Sequence, residues 1–192
     1  MNNHVILVGG KKRVGKNTSV DIIEDYLKQK RINVVRESFA GVLKDITCML
    51  LEVTPRELDI LKNSGGVVKS VTEDGQFISG VTHRKFLQVL GTDVRDRYFN
   101  KCLWVDMCLD RIKNIPENTV VIIDDWRFPH ESERVATKFS TTEIIIERPK
   151  LPQGDLHPSE TALDEFDAVR IINDGTIGDL RLKIYQELER IL

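Results

Sequence analysis

Short apolar runs alternate along the chain with stretches in which apolar residues recur every three or four positions. A continuous apolar run is typical of a strand in a buried parallel sheet, and the wider spacing is typical of an amphipathic helix. The predicted strands cover residues 4–8, 33–38, 119–123, 142–147 and 169–172. The predicted helices cover residues 16–30, 41–51, 55–61, 82–90, 93–114, a segment from about 129, and 177–192. This alternation predicts an α/β fold with a mainly parallel five-stranded sheet and right-handed crossovers.

Two segments interrupt the alternation. Residues 63–80 contain Asp74-Gly75 between two apolar pairs, which predicts a hairpin or a flap. Residues 148–160 contain three prolines and a glycine and are too irregular for a helix or a strand. We therefore expect a small insert at about 63–80 and a long loop at about 148–160.

Composition excludes several classes of protein. Hydrophobic residues make up 41% of the chain and the net charge is −2, so a normal core is expected and no overall attraction to nucleic acid or membrane. The apolar runs fall short of the roughly 20 residues that cross a bilayer, and a signal peptide is not expected. Three cysteines without paired or zinc-type spacing indicate a reducing compartment. These features predict a cytoplasmic protein with no nucleic-acid and no membrane partner.

A phosphate-binding motif lies between the first predicted strand and the first predicted helix. Residues 10–18 read Gly-Lys-Lys-Arg-Val-Gly-Lys-Asn-Thr, which fits the P-loop pattern in the required position. In such a loop, backbone N–H groups and the helix N-terminus surround an anion, and Lys16 reaches the terminal phosphates. A glycine-rich turn with a solvated lysine is the plain alternative. The predicted ATP-binding residues of the loop are Gly10, Lys12, Arg13, Val14, Gly15, Lys16, Asn17 and Thr18.

The end of this motif narrows the class of protein. A hydroxyl residue directly after the lysine normally binds magnesium, but here Asn17 follows Lys16 and the hydroxyl comes at Thr18. This ending is similar to that of nucleoside monophosphate kinases, and it favours a kinase of small molecules over a switch GTPase or a motor ATPase.

Two carboxylates follow the clearest predicted core strand. Asp124 and Asp125 come directly after Ile123, at the end of a parallel strand that faces the ligand crevice. A carboxylate there can orient Mg²⁺ and its waters. Turn residues or a helix cap are the alternative. Both aspartates remain candidates for the magnesium site.

Several segments together resemble one family. The run 125–131, Asp-Trp-Arg-Phe-Pro-His-Glu, is similar to the D-x-R-F-P-x-E segment of phage-type deoxynucleoside monophosphate kinases, a branch of the P-loop nucleoside monophosphate kinases. The other matching segments, in the same order as in that family, are 10–18, 38–44, 84–95, 157–160 and 173–176. The resemblance implies a P-loop three-layer fold and a single kinase domain over residues 1–192. The insert at about 63–80 then corresponds to a flap, and the loop at about 148–160 to a lid.

The resemblance also implies roles for individual residues. Catalysis is expected from Lys16, Arg127 and Asp125, and the magnesium site from Asp125 and Thr18. Arg148, in the lid-like loop, is added to the ATP-binding residues. The expected substrate-binding residues are Lys44, Arg84, Gln88, Arg95, Arg127, Glu131, Ser159 and Glu160. For each arginine a surface ion pair is the alternative, and Trp126 is open to both a packing and a chemical role.

The expected reaction is transfer of the ATP γ-phosphoryl group to the phosphate of a (deoxy)nucleoside monophosphate, with ATP and Mg²⁺ as cofactors. A kinase of another small phosphorylated metabolite and a non-catalytic nucleotide-binding module are the alternatives. A homodimer is left open, and a phage-encoded enzyme is expected in the host cytoplasm.

Overall fold

Five parallel strands form one sheet in the structure, a computed structural model that describes residues 3–71, 77–149 and 158–191. The described residues contain seven strands, of which two, β3 and β4, form a separate pair. In chain order they are β1 His4–Gly9, β2 Asn33–Glu37, β3 Val67–Val71, β4 Phe77–Thr82, β5 Thr119–Trp126, β6 Ser140–Glu147 and β7 Val169–Ile172. The sheet has the order β2-β5-β1-β6-β7, and every neighbouring pair in it is parallel. The predicted parallel five-stranded sheet is thus confirmed, with β1 at its centre.

Nine α-helices accompany the strands in the described residues. They are α1 Lys16–Gln29, α2 Gly41–Leu51, α3 Pro55–Ser64, α4 His83–Gln88, α5 Arg95–Tyr98, α6 Leu103–Ile112, α7 Pro129–Ala136, α8 Pro158–Thr161 and α9 Ile177–Ile191. A π-helical segment, Val89–Val94, joins α4 to α5. The alternation of strands and helices confirms the predicted α/β class.

The chain divides into two compact units. Residues 1–39 and 105–192 form the first, which we call the sheet unit because it contains the parallel sheet. Residues 40–104 form the second unit. The assignment of residues 1–192 to a single kinase domain stays a prediction.

The core of the sheet unit follows from the alternation of side chains along each strand. Even-numbered residues of β1 and β5, such as Ile6 and Ile122, share one cluster with apolar residues of α1 and α9. The odd-numbered β5 residues Val121 and Ile123 are completely buried as well, on the opposite face. Because both faces are covered, residues 5–8 of β1 and 120–123 of β5 are all apolar, as is typical of a buried parallel sheet.

The second unit contains the predicted hairpin segment. β3 and β4 pair antiparallel, and one extra residue on β4 between the pairs Val68–Val81 and Ser70–Ile78 forms a bulge. A Cβ atom at Gly80 would lie 2.1 Å from the carbonyl oxygen of Val68, so only glycine fits there. The antiparallel pairing confirms the hairpin prediction, and Asp74-Gly75 lies outside the described residues.

One predicted helix, residues 93–114, is wrong. The structure has α5 and α6 instead, separated at residues 99–102, where Phe99 adopts φ −131° and ψ −146°. Asn100 causes the new start, because its side-chain oxygen accepts a 2.8 Å hydrogen bond from the N–H of Cys102. The predicted gap between residues 90 and 93 is also wrong, since the π-helical segment runs through it.

No helix within residues 3–71, 77–149 and 158–191 is long and apolar enough to span a bilayer.

The two sides of α9 give a test of this core. Ile184 is completely buried in the cluster with α1, whereas Leu182 on the same helix is 63% exposed. We expect Ile184→Ala to lower the free energy of unfolding by about 2–5 kcal/mol because it leaves a cavity. The matched change Leu182→Ala should alter it by less than about 0.5 kcal/mol. Urea denaturation measures both, and equal effects would contradict the packing of α9.

Candidate active site

The phosphate loop connects β1 to α1 by a path that needs two glycines. Gly10 and Gly15 have φ values of +131° and +102°, in the range that glycine adopts most readily. A Cβ atom at Gly10 would lie 2.4 Å from the carbonyl oxygen of Ile146 on β6. Val14, between the glycines, is buried and belongs to the core cluster. The loop is therefore held by the sheet on one side and by the core below it.

Asn173 fixes the loop from the end of β7. Its side-chain amide donates a 2.8 Å hydrogen bond to the carbonyl of Val14, and its backbone N–H donates to the carbonyl of Glu147 at 2.7 Å. A Cβ atom at Gly15 would approach the Asn173 amide nitrogen to 2.6 Å. Asn173 was not among the predicted site residues, although it stands directly after the last predicted strand, at the edge of the sheet where the phosphate loop was expected.

Lys16 lies at the start of α1 and turns back over the loop. Its ammonium donates to the carbonyl oxygens of Gly10 and Lys11 at 2.7 and 2.8 Å. Burial, together with the charge of Arg127, lowers the pKa of Lys16 to about 8, although the carboxylates of Glu160 and Asp124 act in the opposite direction. Lys16 is therefore surrounded by charged groups of both signs.

Glu160, on α8, connects the loop to Arg127. One carboxylate oxygen accepts a 2.6 Å hydrogen bond from the backbone N–H of Lys12, and the other accepts one from the Arg127 guanidinium, also at 2.6 Å. The side chain of Glu160 is 15% exposed and that of Arg127 is 29% exposed. The structure thus brings together Lys12, Lys16, Arg127 and Glu160, all of which the sequence predicted as site residues.

The segment after α8 is attached to the sheet unit at several points. Asp164 forms a 2.9 Å ion pair with Lys11 of the loop, and a Cβ atom at Gly9 would lie only 2.8 Å from the side chain of Leu163. The ring of Phe166 meets Trp126 edge to face, with 5.0 Å between the ring centroids. Trp126 is completely buried, which gives it a packing role.

Arg170 on β7 holds the same segment through its backbone. One end of its guanidinium donates to the carbonyl oxygens of Leu163, Asp164 and Phe166 at 2.8–3.1 Å. The other end pairs with Glu147, the last residue of β6. The backbone that carries Glu160 is therefore fixed to the sheet by side chains other than Glu160 itself.

Asp124 and Asp125 lie where the register of β5 against β1 shifts, between Ile123 and Trp126, and their side chains have different neighbours. The charge of Asp124 raises the pKa of Lys16 on α1. Asp125 accepts a 2.8 Å hydrogen bond from the backbone N–H of Phe39. Burial, with the charges of Glu37 and Asp125, raises the pKa of the Cys108 thiol on α6 to about 12. Asp124 is thus the aspartate on the side of the phosphate loop.

Glu131 lies in the first turn of α7. Its carboxylate accepts hydrogen bonds from the backbone N–H groups of Arg127 and Phe128, at 2.8 and 3.0 Å. These contacts stabilise the start of α7 and hold Arg127 where the strand ends. A direct contact of Glu131 with substrate stays a prediction.

The remaining predicted site residues of the sheet unit include Asn17, Thr18, Arg148 and Ser159. Thr18 is half-buried and Asn17 is exposed in the first turn of α1, and Arg148 is exposed directly after β6. Ser159 lies in α8, and its side chain is outside the described part of the structure. In the residues that the structure describes, no group of three or more His, Cys, Asp or Glu side chains is placed to hold a metal ion.

Four predicted substrate-binding residues belong to the second unit. Lys44 on α2 is exposed, and so are Arg84 and Gln88, which share α4 as their spacing predicted. Arg84 donates a long hydrogen bond of 3.4 Å to Asn63. Arg95 lines an apolar cavity of about 60 Å³ and pairs with Asp96 at 2.7 Å.

The lowered pKa of Lys16 predicts how stability depends on pH. Because this pKa falls from 10.5 to about 8 on folding, the unfolded chain binds more protons between these values. The free energy of unfolding therefore rises with pH across that window. We expect the wild type to gain stability relative to Lys16→Met from pH 8 to 10.5, since all other groups titrate alike in both proteins. Urea denaturation at several pH values measures the difference, and a constant difference would contradict the lowered pKa.

Comparison with known proteins finds relatives among nucleotide kinases. A relative from Acanthamoeba polyphaga mimivirus, provisionally named a deoxynucleotide monophosphate kinase, is 27% identical over 199 residues, which cover 94% of this chain and 94% of the relative. The deoxynucleotide monophosphate kinase of Enterobacteria phage T4 is 31% identical over 109 residues, 55% of this chain and 45% of the phage protein. A solved gluconokinase from Sinorhizobium meliloti 1021 has 11% identity and a TM-score of 0.46, with 98% of this chain and 93% of the other covered. That structural likeness is too weak to support any argument.

The family model for deoxynucleotide monophosphate kinase matches residues 60–184, which is well over half of the chain. The match contains Arg84, Arg127 and Glu160, and the similarity to the mimivirus relative covers 94% of the chain. The chain therefore belongs to the deoxynucleotide monophosphate kinase family.

Proposed function

We propose that this protein transfers the γ-phosphoryl group of ATP to the phosphate of a deoxynucleoside monophosphate, which yields ADP and the deoxynucleoside diphosphate. The observation that carries the proposal is the convergence of Lys16 and Arg127 on a phosphate loop in a member of this family. Two cations beside a loop of backbone N–H groups make a site for a multiply charged anion.

The phosphate loop is the site we assign to ATP. Gly15, at the N-cap of α1, has no side chain that could cap the helix, and the first turn contains no acidic residue. The N–H groups of that turn can therefore serve the β- and γ-phosphates, and the Lys16 ammonium can move from the loop carbonyls to a phosphate oxygen.

The reaction itself needs little proton chemistry. An oxygen of the acceptor phosphate, already anionic, forms a bond to the γ-phosphorus, while the bond from this phosphorus to the bridging oxygen breaks. The electron pair of that bond stays with ADP. Lys16 and Arg127 stabilise the charge that spreads over the transferring group, so catalysis rests on positioning and electrostatics.

Mg²⁺ fits the donors on the loop side of β5. Thr18 supplies a half-buried hydroxyl, and Asp124 supplies a carboxylate close enough to Lys16 to raise its pKa. Such oxygen donors suit Mg²⁺ that keeps part of its water shell. When bound, the ion neutralises charge on the β- and γ-phosphates. We assign this role to Asp124 in preference to Asp125, because Asp125 faces Phe39 and α6.

The acceptor is assigned to exposed polar residues of the second unit. Arg84 and Gln88 are both exposed on α4, and a planar guanidinium suits a phosphate. Arg95 is largely buried and paired with Asp96, so it is a weaker candidate for the role than Arg84.

All three cysteines are free thiols. This supports a reducing compartment such as the cytoplasm, which is that of a host cell if the chain is phage-encoded.

A panel of acceptors tests the proposed reaction. With ATP, Mg²⁺ and each common deoxynucleoside monophosphate in turn, a coupled assay should show ADP release that depends on at least one acceptor. Lys16→Ala should lower this rate by about 100-fold or more, because the transferring group loses a preorganised charge. Lys28→Ala is the matched control, since Lys28 lies on the same helix in a surface ion pair with Glu24.

Each outcome of the panel is informative. Turnover with other phosphorylated metabolites only would indicate a kinase with a different acceptor. ADP release that ignores every acceptor, or ATP binding without any release, would contradict the proposal.

The magnesium assignment is tested by exchanging one aspartate at a time. We expect Asp124→Asn to weaken binding of Mn²⁺ to the protein–ADP complex roughly tenfold, because a carboxylate beside the ion is lost. Asp125→Asn should leave Mn²⁺ affinity unchanged. Electron paramagnetic resonance of free Mn²⁺ measures both affinities, and the reverse order would return the role to Asp125.

A further inference from the structure

Glu160 occupies hydrogen-bond donors that the proposed function assigns to phosphate. Its carboxylate accepts from the backbone N–H of Lys12 in the phosphate loop and from the guanidinium of Arg127, both at 2.6 Å. A carboxylate and a phosphate present anionic oxygens of the same kind to such donors. Each of these N–H groups can serve only one strong acceptor at a time, so the two anions compete.

We propose that Glu160 is an internal competitor of phosphate, which holds Arg127 against the loop and gives up this place when a phosphate group binds. The inference rests on the proposed function, because it takes the phosphate loop as the site of ATP. It differs from the role implied by family resemblance, in which Glu160 contacts the substrate directly.

The surroundings of Glu160 allow this exchange without refolding. The backbone after α8 is held by the pair of Asp164 with Lys11, by Leu163 against Gly9, and by the carbonyl contacts of Arg170. None of these contacts uses the carboxylate of Glu160. A rotation of its side chain can therefore release Lys12 and Arg127 while the segment stays in place.

The carboxylate of Glu160 also compensates the positive charges of Lys16 and Arg127 before phosphate binds. Arg127 lowers the pKa of Lys16 and Glu160 raises it, so the carboxylate offsets the repulsion between the two cations. When phosphate arrives, it takes over this compensation with more charge. Arg127 is thus kept near the loop in either case, and its side chain needs no ordering at the moment of binding.

Tripolyphosphate is the probe for this competition, because it has phosphate groups but no base, sugar or acceptor. We expect Glu160→Gln and Glu160→Ala to bind tripolyphosphate about tenfold more tightly than the wild type in isothermal titration calorimetry. A tenfold gain equals about 1.4 kcal/mol. A loss of structure would weaken binding, so the sign of the change separates competition from damage to the fold.

The control must remove the same charge from the same segment. Asp164→Asn does so, because Asp164 neighbours the loop through an exposed pair with the Lys11 side chain and touches no loop N–H. We expect its affinity for tripolyphosphate to change less than twofold. If Asp164→Asn raised the affinity for tripolyphosphate as much as Glu160→Gln does, the loss of any nearby negative charge would explain both results, and the proposal would be overturned.

The acceptor assay keeps this inference separable from the proposed function. If the wild type transfers phosphate but the Glu160 variants bind tripolyphosphate equally well or more weakly, the competition is refuted and the kinase activity stands. If no acceptor supports ADP release while the Glu160 variants still gain affinity, the competition stands and the reaction is refuted.

Discussion

The close approach of other residues to the two glycines of the phosphate loop is the constraint on which the site depends. The carbonyl of Ile146 leaves no room for a side chain at Gly10, and Asn173 leaves none at Gly15. These contacts come from β6 and from the end of β7, so the loop keeps its shape only if β6 lies beside β1 and β7 lies beside β6. The order of the strands therefore determines the shape of the phosphate loop as well as the packing of the core.

Repulsion between two neighbouring cations, Lys16 and Arg127, is the second property of the site. Lys16 is partly buried and close enough to Arg127 for the two charges to repel, and both effects disfavour its charged form. Asp124 and Glu160 compensate part of this repulsion from two different elements, β5 and α8. A site that holds like charges together without their ligand costs stability, and such costs are typical of places that bind or react.

The sequence predicted the parts of the fold that depend on local pattern. The glycines and the lysine of the loop stand at fixed spacing, and each core strand is a continuous apolar run. The break at residues 99–102 was missed because a single side-chain bond of Asn100 overrides the helical spacing around it. Simple alternation could not assign Asp124 and Asp125, because the strand register shifts between Ile123 and Trp126 and the neighbours of both side chains come from distant elements. The contact of Glu160 with Lys12 joins residues far apart in the chain, and no local pattern encodes it.

Arg170 closes a ring within the sheet unit. It joins Glu147, where β6 ends, to the carbonyl oxygens of residues 163–166, so one guanidinium fixes both ends of the chain segment that runs from β6 to α8. The same guanidinium serves both anchors, so Arg170 couples the position of Leu163 beside Gly9 to the end of β6. The backbone that follows Glu160 therefore cannot slide along the sheet without breaking contacts to strands on that side of the phosphate loop.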